Sequence, residues 1–259
     1  MTPIWIFPAY PLLIIGPHAG NLSGRIENPS HAITIIIGGF TIQGIGFLVS
    51  LTIYSALVYR LMTQKLPPEP LRPGMFVSVG PSAFTVSGTI GMAANLHKAI
   101  PPNSTYMGAP GVLAAQILRI MANWTSLWIW GLAVWFFFVS VSSHWTVIFI
   151  KSHKMPFAMT WFSFIFPQTA LTTATFAIGE AFDVYSLKVI GCVMTCALFV
   201  AWFFVVFMMC RAIKQKEILW PQRGEDRREG GFGRKFENPR DGTFDGAGEK
   251  EEEERTDHV

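Results

Sequence analysis

From Pro3 to Arg211 the chain is divided into six apolar stretches, at about 3–20, 32–60, 74–96, 124–145, 156–180 and 185–211. Each approaches or exceeds the roughly 20 residues that cross about 30 Å of hydrocarbon as a helix. This constrains the fold more than any other feature. A backbone inside a bilayer must satisfy its own hydrogen bonds, so it is either helical or part of a closed barrel, and barrel strands need only about 9–11 residues. The expected fold class is therefore an all-α membrane protein with six transmembrane helices. Charge placement agrees. Of 20 Lys+Arg and 17 Asp+Glu, 11 and 13 follow Cys210, leaving 9 and 4 in the first 210 residues. The net charge of +3 forms no basic patch interleaved with aromatics, which excludes nucleic acid as a partner. The expected partner is the lipid bilayer.

Loops rich in Pro, Gly and charge separate the spans: NLSGRIENPS, TQKLPPEPLRP, HKAIPPNSTYMGAP, KSHK and a short turn at Asp183. The N-terminus lacks a basic leader and carries Pro3, Pro8, Pro11 and Pro17, so it does not read as a signal peptide. One side of the membrane collects Arg60, Lys65, Arg72, Lys151, Lys154, Arg211, Lys214 and Lys216, and the other Arg25, Lys98, Arg119 and Lys188. The positive-inside rule puts the first set and the C-terminus in the cytosol. Asn103-Ser-Thr then lies outside, where it can accept a glycan, whereas Asn123-Trp-Thr abuts the membrane. Residues 1–212 read as the transmembrane domain. Residues 213–259, charged, glycine-rich and poor in aliphatics, read as a disordered cytosolic tail. Its RREGGFGRK portion is either solvated or in contact with anionic lipid.

The spans are of two kinds. The first, third and fifth contain interior prolines (Pro8, Pro11 and Pro17; Pro81; Pro167), and the second, fourth and sixth contain none. Proline removes a helical hydrogen bond and kinks the helix. Alternation of kinked and straight spans predicts three helical hairpins, each pairing a kinked inner helix with a straight outer one. Polar residues form stripes on the kinked spans. At about 100° per residue, Ser78, Ser82, Thr85 and Thr89 fall within roughly 60° of one another. Phe162, Phe166, Thr169, Thr173, Phe176 and Glu180 fall within roughly 80°. Hydroxyls interrupted by phenyl rings suit the lining of a narrow path with an apolar constriction. They also suit helix contacts and carbonyls freed by proline, but stripes on two helices favour the lining.

No Lys or Arg sits within these stripes, which fits weak, fast binding of a permeant ion better than tight capture. Glu180 reads either as a proton relay or as an interfacial carboxylate, and the interfacial reading fits its place near a span end. His18 and His144, also near span ends, read as interfacial. The histidines at 18, 31, 97, 144, 153 and 258 show no metal-binding spacing, and no phosphate-cradling glycine loop is present, so neither metal nor cofactor nor enzymatic activity is expected. Cys192, Cys196 and Cys210 share one apolar segment and read as small apolar residues.

The segments PIWIFPAYPLLIIGPHAG (3–20), RPGMFVSVGPSAFTVSGTIGMAANL (72–96), WTSLWIWGLAVWFFF (124–138) and FSFIFPQTALTTATF (162–176) resemble the tellurite-resistance/dicarboxylate transporter family. Within it they are most similar to fungal malic acid (C4-dicarboxylate) transporters; bacterial tellurite-resistance proteins, fungal sulfite efflux pumps and plant slow anion channels share the fold. The resemblance implies a ten-helix, five-hairpin pore with kinked inner helices, plugged by the phenylalanine that precedes the proline of the ninth helix, here Phe166. It also implies movement of malate-like dianions across the plasma membrane, passively or with a proton, often as a homotrimer. An anion channel or a sulfite exporter is the alternative. The six spans match helices five to ten, so a truncated gene product is expected, with an accessory fragment as the other reading.

Overall fold

The computed structural model describes residues 3–64, 66, 69–149 and 159–214. The chain separates into two units, Met1–Glu217 and Ile218–Val259; the second unit, and with it nearly all of the expected tail, lies outside the described residues. The first, in its described residues, is helical almost throughout. It contains α1 (Tyr10–Ser23), α2 (Pro29–Thr63), α3 (Gly80–Ala94), α4 (Leu96–Ala99), α5 (Gly111–Phe149), α6 (Phe166–Ala181) and α7 (Tyr185–Lys214). Three 3-10 segments, Pro3–Ala9, Glu69–Val79 and Met159–Phe164, lead into α1, α3 and α6.

The prolines explain these junctions. Pro11, Pro81 and Pro167 each stand second in their α-helix, where a missing N–H does least harm. The ring is incompatible with α geometry in the preceding turn, which tightens into 3-10 turns instead. By contrast, α2, α5 and α7 run unbroken for 35, 39 and 30 residues. Among the described residues four runs, Pro29–Thr63, Arg72–Ala94, Gly111–His144 and Tyr185–Lys214, are long and apolar enough to cross a membrane. α1 and α6 are shorter, but with their 3-10 turns each extends about 35 Å.

Burial separates the two kinds. In the most apolar 18-residue stretch of Arg72–Ala94, 78% of residues are buried, against 28%, 22% and 11% in the corresponding stretches of α2, α5 and α7. These three turn Phe40, Leu48, Trp128, Phe138, Phe199 and Phe203 outward, an arrangement that lipid accepts and water does not. Cys192, Cys196 and Cys210 are free thiols exposed on α7.

α5 starts well before the span expected at 124. A turn with Met107 and Gly108 at positive φ joins a two-residue ribbon, Thr105–Tyr106 with Ala109–Pro110. The Gly111 N–H then donates to the Ser104 carbonyl at 2.7 Å and fixes the helix start. Residues 112–123 (VLAAQILRIMAN) are mostly strong helix formers without Gly or Pro. The helix therefore measures about 58 Å, nearly twice the hydrocarbon thickness.

The turn from α6 to α7 is closed by the Val184 N–H donating to the Gly179 carbonyl, with Asp183 in the left-handed region at φ 52°. Lys188 Nζ lies 2.8 Å from Asp183 Oδ1, and that hydrogen bond holds the carboxyl below its ordinary range.

Candidate functional site

The three helix starts meet. The Phe166 ring centroid is 5.6 Å from that of Tyr10 and 5.4 Å from that of Phe84, while Tyr10 and Phe84 meet edge-on at 6.0 Å. Phe7 adds a fourth ring 5.7 Å from Tyr10. A Cβ at Gly80 would overlap the Tyr10 hydroxyl, so the missing side chain lets that ring lie across the start of α3. Phe166 remains 44% exposed: it rests on Tyr10 and Phe84 and projects beyond them.

Hydroxyls repair the break in α3. Pro81 has no N–H to give the carbonyl four residues back, Val77, and the Tyr10 hydroxyl donates there at 2.6 Å. From α2, the Tyr54 hydroxyl donates to the Ser78 carbonyl at 2.6 Å and lies 3.4 Å from Ser82 Oγ. Ser78 Oγ and Ser140 Oγ both donate to the Met75 carbonyl, at 2.7 and 3.0 Å, and Thr85 Oγ1 donates to the Pro81 carbonyl at 2.7 Å. An unpaired buried carbonyl costs about 1–3 kcal/mol, so this set is a substantial part of what holds the junction.

Ser78, Ser82 and Thr85 are thus placed in the interior, on the side of α3 that these partners cover; Thr89 is half-buried. Phe84, Ser87 and Gly91 on α3 are half-buried as Thr89 is, and Ala94 at its end is exposed. On α6, Phe166, Thr169, Thr173 and Glu180 are all exposed, with Phe162 and Phe176 half-buried. Thr169 and Thr173 donate their hydroxyl hydrogens to the carbonyls of Ile165 and Ala170, at 3.0 and 2.9 Å. Pro8 and Pro11 are exposed, whereas Pro81 and Pro167 are buried.

α1, α3 and α6 contain no Lys, Arg or Asp, and Glu180 is their one carboxylate. The place where α1, α3 and α6 start thus holds a cluster of rings and the N-terminal ends of three α-helices, without Lys or Arg on those helices.

Three contributors escape the stripe reading: Tyr10, Tyr54 and Gln43. Gln43 on α2 is buried, with Nε2 donating to the Phe84 carbonyl at 3.1 Å. Its side chain lies in a slot between α1 and α3 that a Cβ at Gly16 or Gly88 would fill. A solitary amide in a 35-residue apolar helix is the signal that marks it. His144, read as interfacial, is instead buried between Phe76 and Phe164, with centroids at 5.3 and 5.4 Å; its Nδ1 hydrogen-bonds the Ser140 carbonyl. The phenyl rings of the neighbouring 3-10 segments cover it. His18 and Asn103 are exposed.

The family model described as SLAC1: Voltage-dependent anion channel matches residues 1–210. The malic acid transport protein of Schizosaccharomyces pombe is 30% identical over 226 residues, 87% of this chain and 50% of that protein. A putative malic acid transport protein of the same yeast is 26% identical, covering 87% of this chain and 51% of its own length. A sulfite efflux pump of Trichophyton rubrum is 23% identical, covering 81% of this chain and 54% of its own length. The chain spans about half the length of these curated relatives. No solved structure matches it.

Proposed function

This chain belongs to the SLAC1 voltage-dependent anion channel family, and on that premise we propose that it moves C4-dicarboxylates such as malate across the plasma membrane. The path runs along the exposed face of α6, past Thr169 and Thr173, with Phe84 and Ser87 of α3 opposite. Phe166 closes it. The observation that carries this reading is the seat of that ring: half-exposed, stacked on Tyr10 and Phe84, at the level where three helices break. A ring held on other rings can leave its place without unfolding a helix, which is what a gate requires. Three α-helix N-termini at this level favour a negative charge passing it.

In this reading the six spans form three hairpins of a five-hairpin pore, the C-terminus is cytosolic, and the assembly is a homotrimer. If a proton moves with the substrate, Glu180, exposed near the end of α6, is the carboxylate we assign to carry it; otherwise it is an interfacial carboxylate facing water. Malate is preferred as substrate because the relatives named for it cover most of the chain at 30% and 26% identity. Sulfite is the second reading, favoured by the lack of any Lys or Arg in α1, α3 and α6 to bind a dicarboxylate tightly. Flux of radiolabelled malate and sulfite into vesicles carrying the full-length protein separates them. Malate should enter several-fold faster than sulfite; sulfite flux without malate flux overturns the first reading in favour of the second.

A further inference from the structure

We propose that a depression between the end of α3, α4 and the first turns of α5 binds an oxyanion group, a phosphate or a carboxylate, with Arg119 supplying the charge. The depression encloses about 280 Å³, room for such a group and a few attached atoms. Its polar walls are His97, Gln116 and Arg119, and its apolar walls include the buried Ala93, Ile100 and Ala115; no acidic residue lines it.

Two features favour an anion. Gln116 and Arg119 are three apart on α5, hence on one face, and neither has a side-chain partner among the described residues. Both side chains are exposed, so the guanidinium fork and the amide N–H groups meet only solvent, and a phosphate or carboxylate presents acceptors at the matching spacing. Across the depression, His97 Nδ1 is 2.8 Å from the Ala94 carbonyl. A carbonyl only accepts, so Nδ1 carries the hydrogen and the neutral ring's Nε2 is an acceptor; it meets an oxyanion through a bridging water, or directly once the ring is protonated. Arg119, Gln116 and His97 are all exposed, so an incoming anion reaches them from solvent and its attraction to the guanidinium is partly screened.

The depth along α5 suggests where such a group comes from. Trp124, exposed on the same helix, lies five residues further along, about 7.5 Å towards the span. Tryptophan concentrates at the headgroup boundary, which puts Arg119 at the level of lipid phosphates and equally within reach of small oxyanions in the adjoining water. The early start of α5 at Gly111 builds this wall.

The test uses the full-length protein in nanodiscs with thermal unfolding as readout. One arm adds phosphatidic acid to phosphatidylcholine discs, and the other adds inorganic phosphate to phosphatidylcholine discs. The parent protein should gain several degrees in at least one arm. Arg119→Gln should need about tenfold more of the same probe for half the effect, and Arg119→Lys should fall between them, keeping the charge but losing the fork. A response to phosphatidic acid alone assigns the site to lipid; a response to phosphate assigns it to soluble oxyanions. Either supports the proposal. A parent that responds to neither probe, or an Arg119→Gln variant that responds as the parent does, overturns it.

Discussion

Replacing Phe166 with alanine is expected to raise resting anion flux by about tenfold or more. Two ring contacts hold this side chain, one on Tyr10 and one on Phe84, and such contacts are worth about 0.5–1.5 kcal/mol each. Together they bias the closed position by roughly 1–3 kcal/mol, and each 1.4 kcal/mol is a factor of ten in the population free to conduct. Alanine removes both the bias and the obstruction. Because the ring is 44% exposed, truncation removes only part of a fully buried phenylalanine's contribution, and the fold should persist. The measurement is vesicle flux normalised to correctly folded protein, with Phe166→Trp as the companion that keeps an aromatic stopper and low flux. Equal flux in parent, alanine and tryptophan forms would show that the ring is no barrier.

Gly88→Val is expected to have the largest effect on folding. A Cβ there would lie 2.5 Å from Gln43 Oε1 and 2.9 Å from the Gly16 carbonyl carbon. The first neighbour is a side chain that can move; the second is the backbone of α1 and cannot. Overpacking of this kind costs about 1–3 kcal/mol, and displacing Gln43 also takes its donor from the Phe84 carbonyl. Most of the protein should be lost from the monodisperse peak in size-exclusion chromatography. Gly38→Val is the control: its Cβ meets nothing within 4 Å, and valine is a better helix former than glycine. It should behave as the parent does.

The prolines made the helix breaks legible in the sequence. Their effect is local, a missing N–H and a ring that the preceding α turn cannot accommodate, and Pro11, Pro81 and Pro167 stand at the junctions; Pro17, equally visible in the sequence, lies inside α1, which continues past it. Angular arithmetic was less reliable. On α6 the stripe gathers residues that are exposed. On α3 it begins at Ser78, inside a 3-10 segment whose turn is 3.0 residues rather than 3.6, and Ser78, Ser82 and Thr85 point inward. Hydrophobicity gave no warning, since lipid and protein interior are alike apolar and a hydroxyl bonded to its own helix suits either. Tyr10, Tyr54 and Gln43 escaped notice because their importance lies in carbonyls that only the fold brings to them. α5 shows the same limit from the other side: hydropathy locates the bilayer crossing, but helix-forming residues beyond it extend the element to Gly111.

All of the functional reading depends on water reaching α6 up to the stacked rings and stopping there. In protein with Cys192, Cys196 and Cys210 replaced by serine, single cysteines at 169, 173 and 82 can be challenged with a membrane-impermeant thiol reagent. Thr169→Cys and Thr173→Cys should react, at least one of them faster once Phe166 is alanine, while Ser82→Cys stays inert. Unreactive cysteines at both 169 and 173, with or without the phenyl ring, would contradict the account.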